Sequence, residues 1–598
     1  MNRPNPRAIV VQVIKPSWPN MFSSLCRPIE PLPHAGGFRQ REARPVVPDH
    51  VPSRAALGHL LDWGDGATSA RQLVRHLSNI IADGETRHPM IRRIVEAGTG
   101  GGGGGVAAEA LNGLMLNRCG FANLITEVQG AAVTNLCLPS TMLQCIFDKY
   151  PRKYHQLMVS SPMPLDQFWD TMRKDASFDA YVKAHPVLSR FGRNSWRTLV
   201  PVTVFEDSGP YTKNKGCNVL SWGSFLGSGG EKVSQFIMGS YIKEGRLSQD
   251  QIDKMWAPIL ADFEHLLTHP VGGYCFTLLY AKGDLEVRSN SWGLPHYGSF
   301  EICTECRADT GTRPYTDLGS QAAWRSCLIG NAAQFLERVR RPLHPLVASS
   351  FFWRGFMPLD VMHVADCKGA ANIIAGSVIR PIILECVPIG ATQELRMDAI
   401  NTRLDEFYAG RPGHNRMPHL RLTNLVSDGW SCLAGPIVKA ANTRALAPFL
   451  VVLADEFYAD IDDEFALMVS RAARGLNRMY EIMYAAGVFL SDSEVAELCR
   501  VLARLGATVM SLREMSRGRG ILAWNVTPKM HMLQHLGSFP AKVNPRWLQN
   551  YMEESSVGTT TKVWSRSASG RYRRTVQKMV FLKRLVTLMI RLETDGYV

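Results

Sequence analysis

The sequence of 598 residues contains no long uninterrupted apolar run. The most apolar run, residues 445–454, stops at Asp455 and Glu456, whereas a spanning helix needs about 20 apolar residues. Residues 1–19 carry proline and charge where a secretory signal has its apolar stretch. We therefore expect a soluble intracellular protein with no membrane partner.

The cysteines do not form the dense set of a disulfide scaffold, because there are 13 and most stand alone. In a reducing compartment a close pair indicates metal binding, and Cys303-Thr-Glu-Cys306 is such a pair. Zinc needs four ligands, and no second CxxC or HxxxH lies near this pair to supply the rest. The candidates for the other ligands are His296, Cys327, His363 and Cys367. The alternative is two unligated cysteines in a loop.

The HExxH motif of zinc metalloproteases is also absent. His531 and His535 do stand four residues apart, a spacing that places two rings on one helix face as a candidate metal pair. The missing glutamate argues against a protease. We find no fixed-period repeat, which argues against a solenoid or propeller.

What the sequence has in excess is positive charge. Lys plus Arg number 67 against 53 for Asp plus Glu, a net charge of +14. Hydrophobic residues make up 45%, as in ordinary globular proteins. The charge favours a polyanionic partner, nucleic acid before an anionic membrane, although it is weak support by itself.

Composition divides the chain into six segments. Residues 1–55 are rich in proline and arginine without periodicity, and we expect disorder there. A glycine run at 98–105 predicts a flexible linker. The predicted segments are a disordered 1–55, a helical 56–105 that ends in the linker, a helical lead-in 106–198, an α/β part 199–320 with the CxxC, a helical region 321–520, and a C-terminal part 521–598.

The texture changes to strands after residue 198. Alternating, β-branched residues predict a strand over 199–205, a second strand over 219–226, and a buried strand over 274–280. Residues 243–267 are expected to be helical. The sequence thus predicts an α/β fold with a large helical part.

Two of these strands end in an acidic residue within turn chemistry, namely Asp207 and Asp284. Carboxylates at strand ends face an open crevice, and a pair of them creates a site for hard divalent cations such as Mg²⁺. Two such ions beside a phosphodiester activate the attacking oxygen and stabilise the leaving one. The alternative is that each Asp only caps a turn, which is the commoner role of a single Asp after a strand.

A third acid, Glu554, opens a basic C-terminal stretch. If a helix begins there, Glu554 would face the two aspartates and the basic side chains would meet a phosphate backbone. The alternative is a helix start that favours Glu through its dipole, followed by a solvated basic face. The residues expected to contact nucleic acid are Lys213, Lys215, Arg566, Arg571, Arg573 and Arg574.

A further motif, Leu359-Asp-Val-Met-His363, opens a predicted helix that continues to Val378. Asp360 and His363 lie one turn apart and share a face. An N-cap Asp with a buried histidine is one interpretation, and a ligand or DNA-facing pair is the other.

These landmarks resemble a known family. Leu359–His363 and the helix after it resemble the LDVMH segment of plant-type CACTA (En/Spm) transposases. Glu206–Tyr211 is similar to the strand end that carries that family's first catalytic aspartate, and Tyr551–Gly558 to its segment with the catalytic glutamate. Asp284 followed by Cys303–Cys306 resembles the second aspartate and cysteine knuckle of CACTA and Kyakuja–Dileera–Zisupton transposases. The resemblance covers residues 200–570 as ordered landmarks with little identity between them.

The resemblance implies a DDE-type DNA transposase, or a domesticated derivative of one, acting in the nucleus. Its fold would be an RNase H-like mixed sheet, formed by 199–320 and 521–598, with 321–520 as a helical insertion. Asp207 would bridge two Mg²⁺ or Mn²⁺ ions while Asp284 and Glu554 each hold one, and Zn²⁺ would sit at Cys303 and Cys306 with His363. The partners implied are transposon-end and target DNA and further copies of the chain.

Two other functions remain open at this stage. One is a catalytically inactive, transposon-derived protein that binds DNA or protein partners. The other is a nuclease or recombinase on the same fold that cuts DNA without joining it. Cleavage of DNA separates the first from a transposase, and strand-transfer products separate the second.

Overall fold

The structure is a computed structural model, described for residues 54–65, 67–82, 91–92, 94–96, 124, 126–128, 135–161, 163–228, 233–243, 247–411, 415–460, 462–567 and 573–594. Of the segment 1–55 that is expected to be disordered, residues 1–53 lie outside the described residues, as do the glycine linker at 98–105 and Arg571, whereas residues 54 and 55 begin a helix. Within them the fold is mixed α/β, as the sequence predicts.

Helices flank a central group of strands. The helices are α1 Arg54–Gly64, α2 Ala70–Ala82, α3 Pro139–Lys149, α4 Pro151–Val159, α5 Leu165–Met172, α6 Ala176–Ala184, α7 Arg193–Trp196, α8 Gln249–Leu266, α9 Leu285–Asn290, α10 Ala332–Leu336, α11 Pro345–Ala348, α12 Ala370–Glu385, α13 Gln393–Ala409, α14 Ala440–Phe457, α15 Glu464–Ala485, α16 Asp492–Gly518, α17 Pro528–Leu533, α18 Tyr551–Ser567 and α19 Arg573–Thr594. The strands are β1 Thr126–Glu127, β2 Asn135–Leu136, β3 Leu199–Thr212, β4 Lys215–Ser224, β5 Phe236–Lys243, β6 Cys275–Gly283, β7 Val426–Ser427 and β8 Trp430–Ser431.

The main sheet has four strands in the order β5-β4-β3-β6. β4 pairs antiparallel with both β3 and β5, whereas β6 pairs parallel with β3 after the crossover helix α8. β5 is absent from the sequence prediction, and the helix expected over 243–267 begins only at Gln249 because 236–243 forms this strand. The parallel pairing of β3 and β6 brings the ends of two remote strands side by side.

Both faces of the sheet are covered, which is why its strands read as nearly continuous apolar runs. The first nine residues of β3 are all buried. Trp256 and Phe263 of α8 pack in the same core as the sheet residues Trp222 and Tyr280. α18 lies against β3, and Gly209 permits the close approach, because a Cβ there would stand 2.7 Å from Cγ2 of Thr561.

A second core lies among the helices between residues 302 and 536. Its central helix is α12, whose residues from Ala370 to Ile379 are all buried. The segment Met362–Glu385 is long and apolar enough to cross a membrane by length and composition, but 78% of its most apolar window is buried inside the protein. Such burial is what a core helix requires, since its apolar side chains pack against α14 and α15.

A buried ion pair joins two segments that are remote from each other in the sequence. Lys282 of β6 and Glu553 of α18 are 5% and 4% exposed, with Nζ and Oε1 2.5 Å apart. Nζ also donates to the backbone oxygen of Gln549 at 2.9 Å. The pair therefore sets the position of the first turn of α18 against the end of β6.

Removing one partner of this pair should destabilise the protein strongly. We expect Lys282→Met to lower the free energy of unfolding by about 3–5 kcal/mol, because Glu553 would be left buried and charged without a partner. Chemical denaturation measures the loss. The double variant Lys282→Met/Glu553→Gln should recover much of the stability, and equal losses in the single and double variants would contradict the argument.

Candidate functional site

The first two acids come together through the parallel strands. Glu206 of β3 pairs with Gly283 of β6, so the next residues, Asp207 and Asp284, lie beside each other. Asp207 is 3% exposed, and its Oδ1 accepts the backbone N–H of Ser208. Asp284 also caps α9 through the backbone N–H of Val287 at 2.6 Å. The turn-capping interpretation of Asp284 is thus correct, and it holds this carboxylate at the strand end.

Glu554 reaches the same place from the first turn of α18. Its carboxyl group is close enough to that of Asp207 for each to perturb the pKa of the other, and the charge of Asp284 acts on both. The structure therefore brings together the three acids singled out in the sequence, Asp207, Asp284 and Glu554, and we call this group the acid centre. The neighbouring Glu206 lies in a separate network, where Trp292 Nε1, Tyr241 Oη and Asn218 Nδ2 donate to it at 3.0–3.2 Å.

The acids repel one another strongly. Burial, with the charges of Glu554 and Asp284, raises the pKa of Asp207 well above its ordinary value. Burial, with the charges of Asp360, Asp284 and Glu553, raises the pKa of Glu554 to about 7. Closely spaced carboxyl groups resist full ionisation when no cation is present. The site therefore favours either a bound proton or a cation.

A histidine and a fourth acid border this centre. His363 Nδ1 lies 2.5 Å from Asp360 Oδ2, and its Nε2 lies 3.4 Å from Glu554 Oε1. Burial opposes a charge on the ring, but the hydrogen bond and charge of Asp360, with Asp284 and Asp207, hold the pKa of His363 above its ordinary value. Asp360 Oδ1 accepts the backbone N–H groups of Met362 and Asn550. This pair is therefore built into the acid centre.

A second cluster is made of Cys303, Cys306, His531 and His535, all buried, whose ligand atoms lie within 4.8 Å of one another. His531 Nε2 is 3.2 Å from His535 Nε2 and 3.3 Å from Cys306 Sγ. Tetrahedral zinc with Zn–N bonds of about 2.0–2.1 Å places two nitrogens about 3.3 Å apart. This group could therefore hold a metal such as zinc.

Two members of the cluster favour the protonation state that binds a metal, whereas burial and the neighbouring Cys303 raise the pKa of Cys306. Burial lowers the pKa of His531, which favours the neutral ring that ligates. Although burial opposes it, hydrogen bonding to Cys306 and the charge of His535 hold the pKa of Cys303 well below its ordinary value. Backbone N–H groups of Glu305 and Ala308 donate to the two sulfurs, as in a metal-binding knuckle. Trp324 covers both imidazoles with ring centroids 4.5 and 5.2 Å away.

The prediction that His363 joins the cysteines is corrected by this geometry, because its ring lies in the acid centre and His531 and His535 complete the set. His296, Cys327 and Cys367 are likewise outside the group. The spacing of His531 and His535 was the available signal. Its connection to the cysteines was not, because His531 follows Cys306 by 225 residues.

The two clusters are joined by a buried arginine. Arg288, 3% exposed, lies on the helix that Asp284 caps and donates to Thr304 Oγ1 inside the knuckle at 3.1 Å. It also donates to the backbone oxygens of Met357 and Pro358, just before Asp360. Arg288 therefore connects the Cys303–Cys306 segment to the helix that follows Asp284 and to the chain just before Asp360.

The predicted nucleic-acid residues are only partly described. Lys213 and Lys215 are exposed at the tip of the β3–β4 hairpin, about 20 Å beyond Asp207 along the strand. Arg566 lies in α18, and Arg573 and Arg574 begin α19. The two lysines are therefore accessible to solvent but lie outside the acid centre.

No protein-family model matches this chain, and no curated protein matches it significantly. The structural features that bear on function are the acid centre, the Cys/His group and the main sheet. Because unrelated chemistries share a fold, the arrangement of these side chains counts for more than the topology.

Proposed function

We propose that this protein is a DDE-type DNA transposase, or a domesticated derivative of one, with Asp207, Asp284 and Glu554 as its catalytic acids. The observation that carries the proposal is the meeting of these three carboxyl groups, two from parallel strand ends and one from a helix more than 260 residues later in the chain. The proposal includes action on DNA in the nucleus by an assembly of several copies, since two transposon ends must be cut together.

The sheet supports an RNase H-like core. Three antiparallel strands are followed by a fourth that runs parallel to the first, and the first and fourth carry the two aspartates. The helical residues between α10 and α16 separate them from α18, in agreement with an insertion before the glutamate. α18 then returns to pack on β3 next to Asp207.

The residues fit a divalent cation. Glu554 Oε1 is buried without a hydrogen-bond donor among the described residues, and His363 approaches it only at ion-pair distance. Three carboxylates gathered at one point supply the hard oxygen ligands that Mg²⁺ and Mn²⁺ prefer. When bound, such ions activate an attacking oxygen and stabilise a leaving one at a phosphodiester.

The chain's own contribution is placement. The strand ends hold Asp207 and Asp284, the Lys282–Glu553 pair holds the first turn of α18, and His363 restrains Glu554. Asp207 is buried, so the charge of a cation held by these acids would act on a substrate phosphate with little screening. Most of the rate enhancement would then come from positioning rather than from covalent chemistry by the protein.

Metal binding at this centre should depend on pH. Because the pKa of Glu554 is raised from 4.5 to about 7, its proton stabilises the metal-free fold at low pH and that contribution is lost as the pH rises through 7. A metal ion must displace the proton, so we expect Mn²⁺ to bind about tenfold more tightly at about pH 8 than at about pH 6. Calorimetry measures the affinities. The variant Glu554→Gln should lose this dependence, and a pH-independent affinity in the wild type would contradict the assignment.

The reaction itself is tested with labelled duplexes from the ends of the DNA element that carries the gene, incubated with Mg²⁺ and a supercoiled plasmid. A transposase releases a 3′-hydroxyl end and joins it to the plasmid. Cutting without joined products would identify a nuclease on the same fold. Binding without cutting, at any pH or with either metal ion, would identify an inactive derivative.

A further inference from the structure

Beside the acid centre lies a group that the proposed chemistry does not use, made of Arg444, Tyr484, Arg546 and Tyr551, which we name the arginine–tyrosine stack. The Arg444 guanidinium lies 4.4 Å from the ring centroid of Tyr551 and 5.2 Å from that of Tyr484. The Arg546 guanidinium lies 4.4 Å from the same Tyr484 ring. All four side chains are half-buried, so the stack is open to solvent on one side.

The stack is held rigidly from below. Tyr551 donates to Asp366 Oδ2 at 2.7 Å, and Tyr484 donates to Gln549 Oε1 at 3.3 Å. Arg546 donates to the backbone oxygen of Tyr484 at 3.1 Å. Guanidinium groups stacked on fixed rings lose less conformational freedom when they bind a ligand than mobile surface arginines do.

The charge of the stack is not neutralised. Among the residues that the structure describes, neither Arg444 nor Arg546 forms an ion pair with a carboxylate. The acid whose charge acts on Arg444 is Asp366, and its two oxygens accept hydrogen bonds from the hydroxyl groups of Tyr480 and Tyr551. Burial also raises the pKa of Asp366 to about 7, so its charge is only partial at neutral pH. Two oriented cations thus stand without an anion.

The position of the stack relates it to the acid centre. Tyr551 and Glu554 are three residues apart on α18 and so lie about 5 Å apart along its axis. Gln549 connects the two groups, because its side-chain Oε1 accepts a hydrogen bond from Tyr484 and its backbone oxygen accepts one from Lys282. Lys282 lies near the end of β6, the strand that leads to Asp284. The two guanidinium carbons lie no farther apart than the sum of their distances to the Tyr484 ring, a span that suits one backbone phosphate or two consecutive ones.

We propose that the arginine–tyrosine stack binds the phosphate backbone of nucleic acid next to the phosphodiester at the acid centre. This inference rests on the proposed function for the identity of the polymer, and on the stack itself for the anion. A planar guanidinium presents two parallel N–H donors to a phosphate. Both tyrosine rings are already covered by arginines, which favours a phosphate over a stacked base as the ligand.

The test is the salt dependence of DNA binding, measured by fluorescence anisotropy with a duplex of about 30 base pairs. Ca²⁺ replaces Mg²⁺ so that the DNA is not cut. Each of Arg444→Gln and Arg546→Gln should reduce the slope of log K against log salt by about 0.9. Arg478→Gln on α15 removes the same charge, but this arginine is already paired with Glu481 and Glu497 and should leave the slope unchanged.

Two tyrosine variants separate orientation from charge. Tyr484→Leu removes the ring under both arginines and should weaken binding several-fold without changing the net charge, whereas Tyr484→Phe keeps the ring, loses only its hydrogen bond to Gln549, and should weaken binding less than Tyr484→Leu does. Circular dichroism establishes that each variant is folded. Slopes for Arg444→Gln and Arg546→Gln equal to that of Arg478→Gln would overturn the proposal.

The outcomes also distinguish this site from the enzyme activity. If the stack variants show the lower slopes but the protein never cuts DNA, the phosphate site is supported and the proposed reaction is rejected. If the protein cuts and joins DNA while the stack variants keep the wild-type slope, the reaction is supported and the phosphate site is rejected.

Discussion

Replacing Asp207 with asparagine is expected to reduce metal-dependent DNA cleavage by at least about a thousandfold. The amide has the size of the carboxylate but neither its charge nor its affinity for a hard cation. Asp207 is also the acid that touches Glu554 and feels Asp284, so its loss affects the whole centre. The rate of nicking of end DNA with Mg²⁺, followed by gel electrophoresis, measures the loss.

The matched control is Asp253→Asn, an exposed carboxylate on α8 that only accepts a hydrogen bond from Gln249. It should cut DNA at the wild-type rate. Without metal, Asp207→Asn should melt above the wild type at neutral pH, because the fold no longer has to hold an acid whose pKa is raised by burial and like charge. A fully active Asp207→Asn protein would remove this residue from the catalytic set.

Loss of the Cys/His group should have the second large effect. We expect the purified protein to contain about one zinc ion per chain, and Cys303→Ala or His535→Ala to lose most of it. Because structural zinc contributes to folding outright, these variants should melt at a clearly lower temperature and lose DNA cleavage with it. Elemental analysis gives the zinc content, and thermal melting with and without a chelator gives the stability.

Cys327→Ala and Cys367→Ala serve as controls, since both cysteines follow the knuckle in sequence but lie outside the metal-holding group. They should keep their zinc and their melting temperature. The variant His363→Asn separates the two clusters further, because it should keep zinc while weakening cleavage. Retention of zinc by Cys303→Ala would show that the metal is bound elsewhere.

Local patterns in the sequence identify each acid of the acid centre, but they do not show that the three acids meet. Asp207 and Asp284 stand at strand ends, and Glu554 stands in the first turn of a helix, so local patterning identifies each position. That they meet depends on the parallel pairing of β3 with β6 and on the packing of α18 against Gly209. Those contacts are tertiary, and only the family resemblance pointed to them.

Other features were beyond local patterning. β5 was missed because its small and polar residues, Gly239 and Ser240 among them, weaken the strand pattern, and its pairing with β4 decides the outcome. His363 was assigned to zinc because it is near the cysteines in sequence, whereas the fold sends it to Glu554. Long-range pairing of this kind leaves no trace in the spacing of residues.

The Lys282–Glu553 contact spans 271 residues of chain, and it has a consequence for incomplete products. A chain interrupted anywhere in the helical part retains Asp207 and Asp284 but has neither the third carboxylate nor the partner of Lys282. Such a fragment would be unable to cut DNA and would carry a stranded ammonium group in its interior. The Lys282–Glu553 pair and the meeting of the three carboxyl groups can therefore form only after the chain has extended through the first turn of α18.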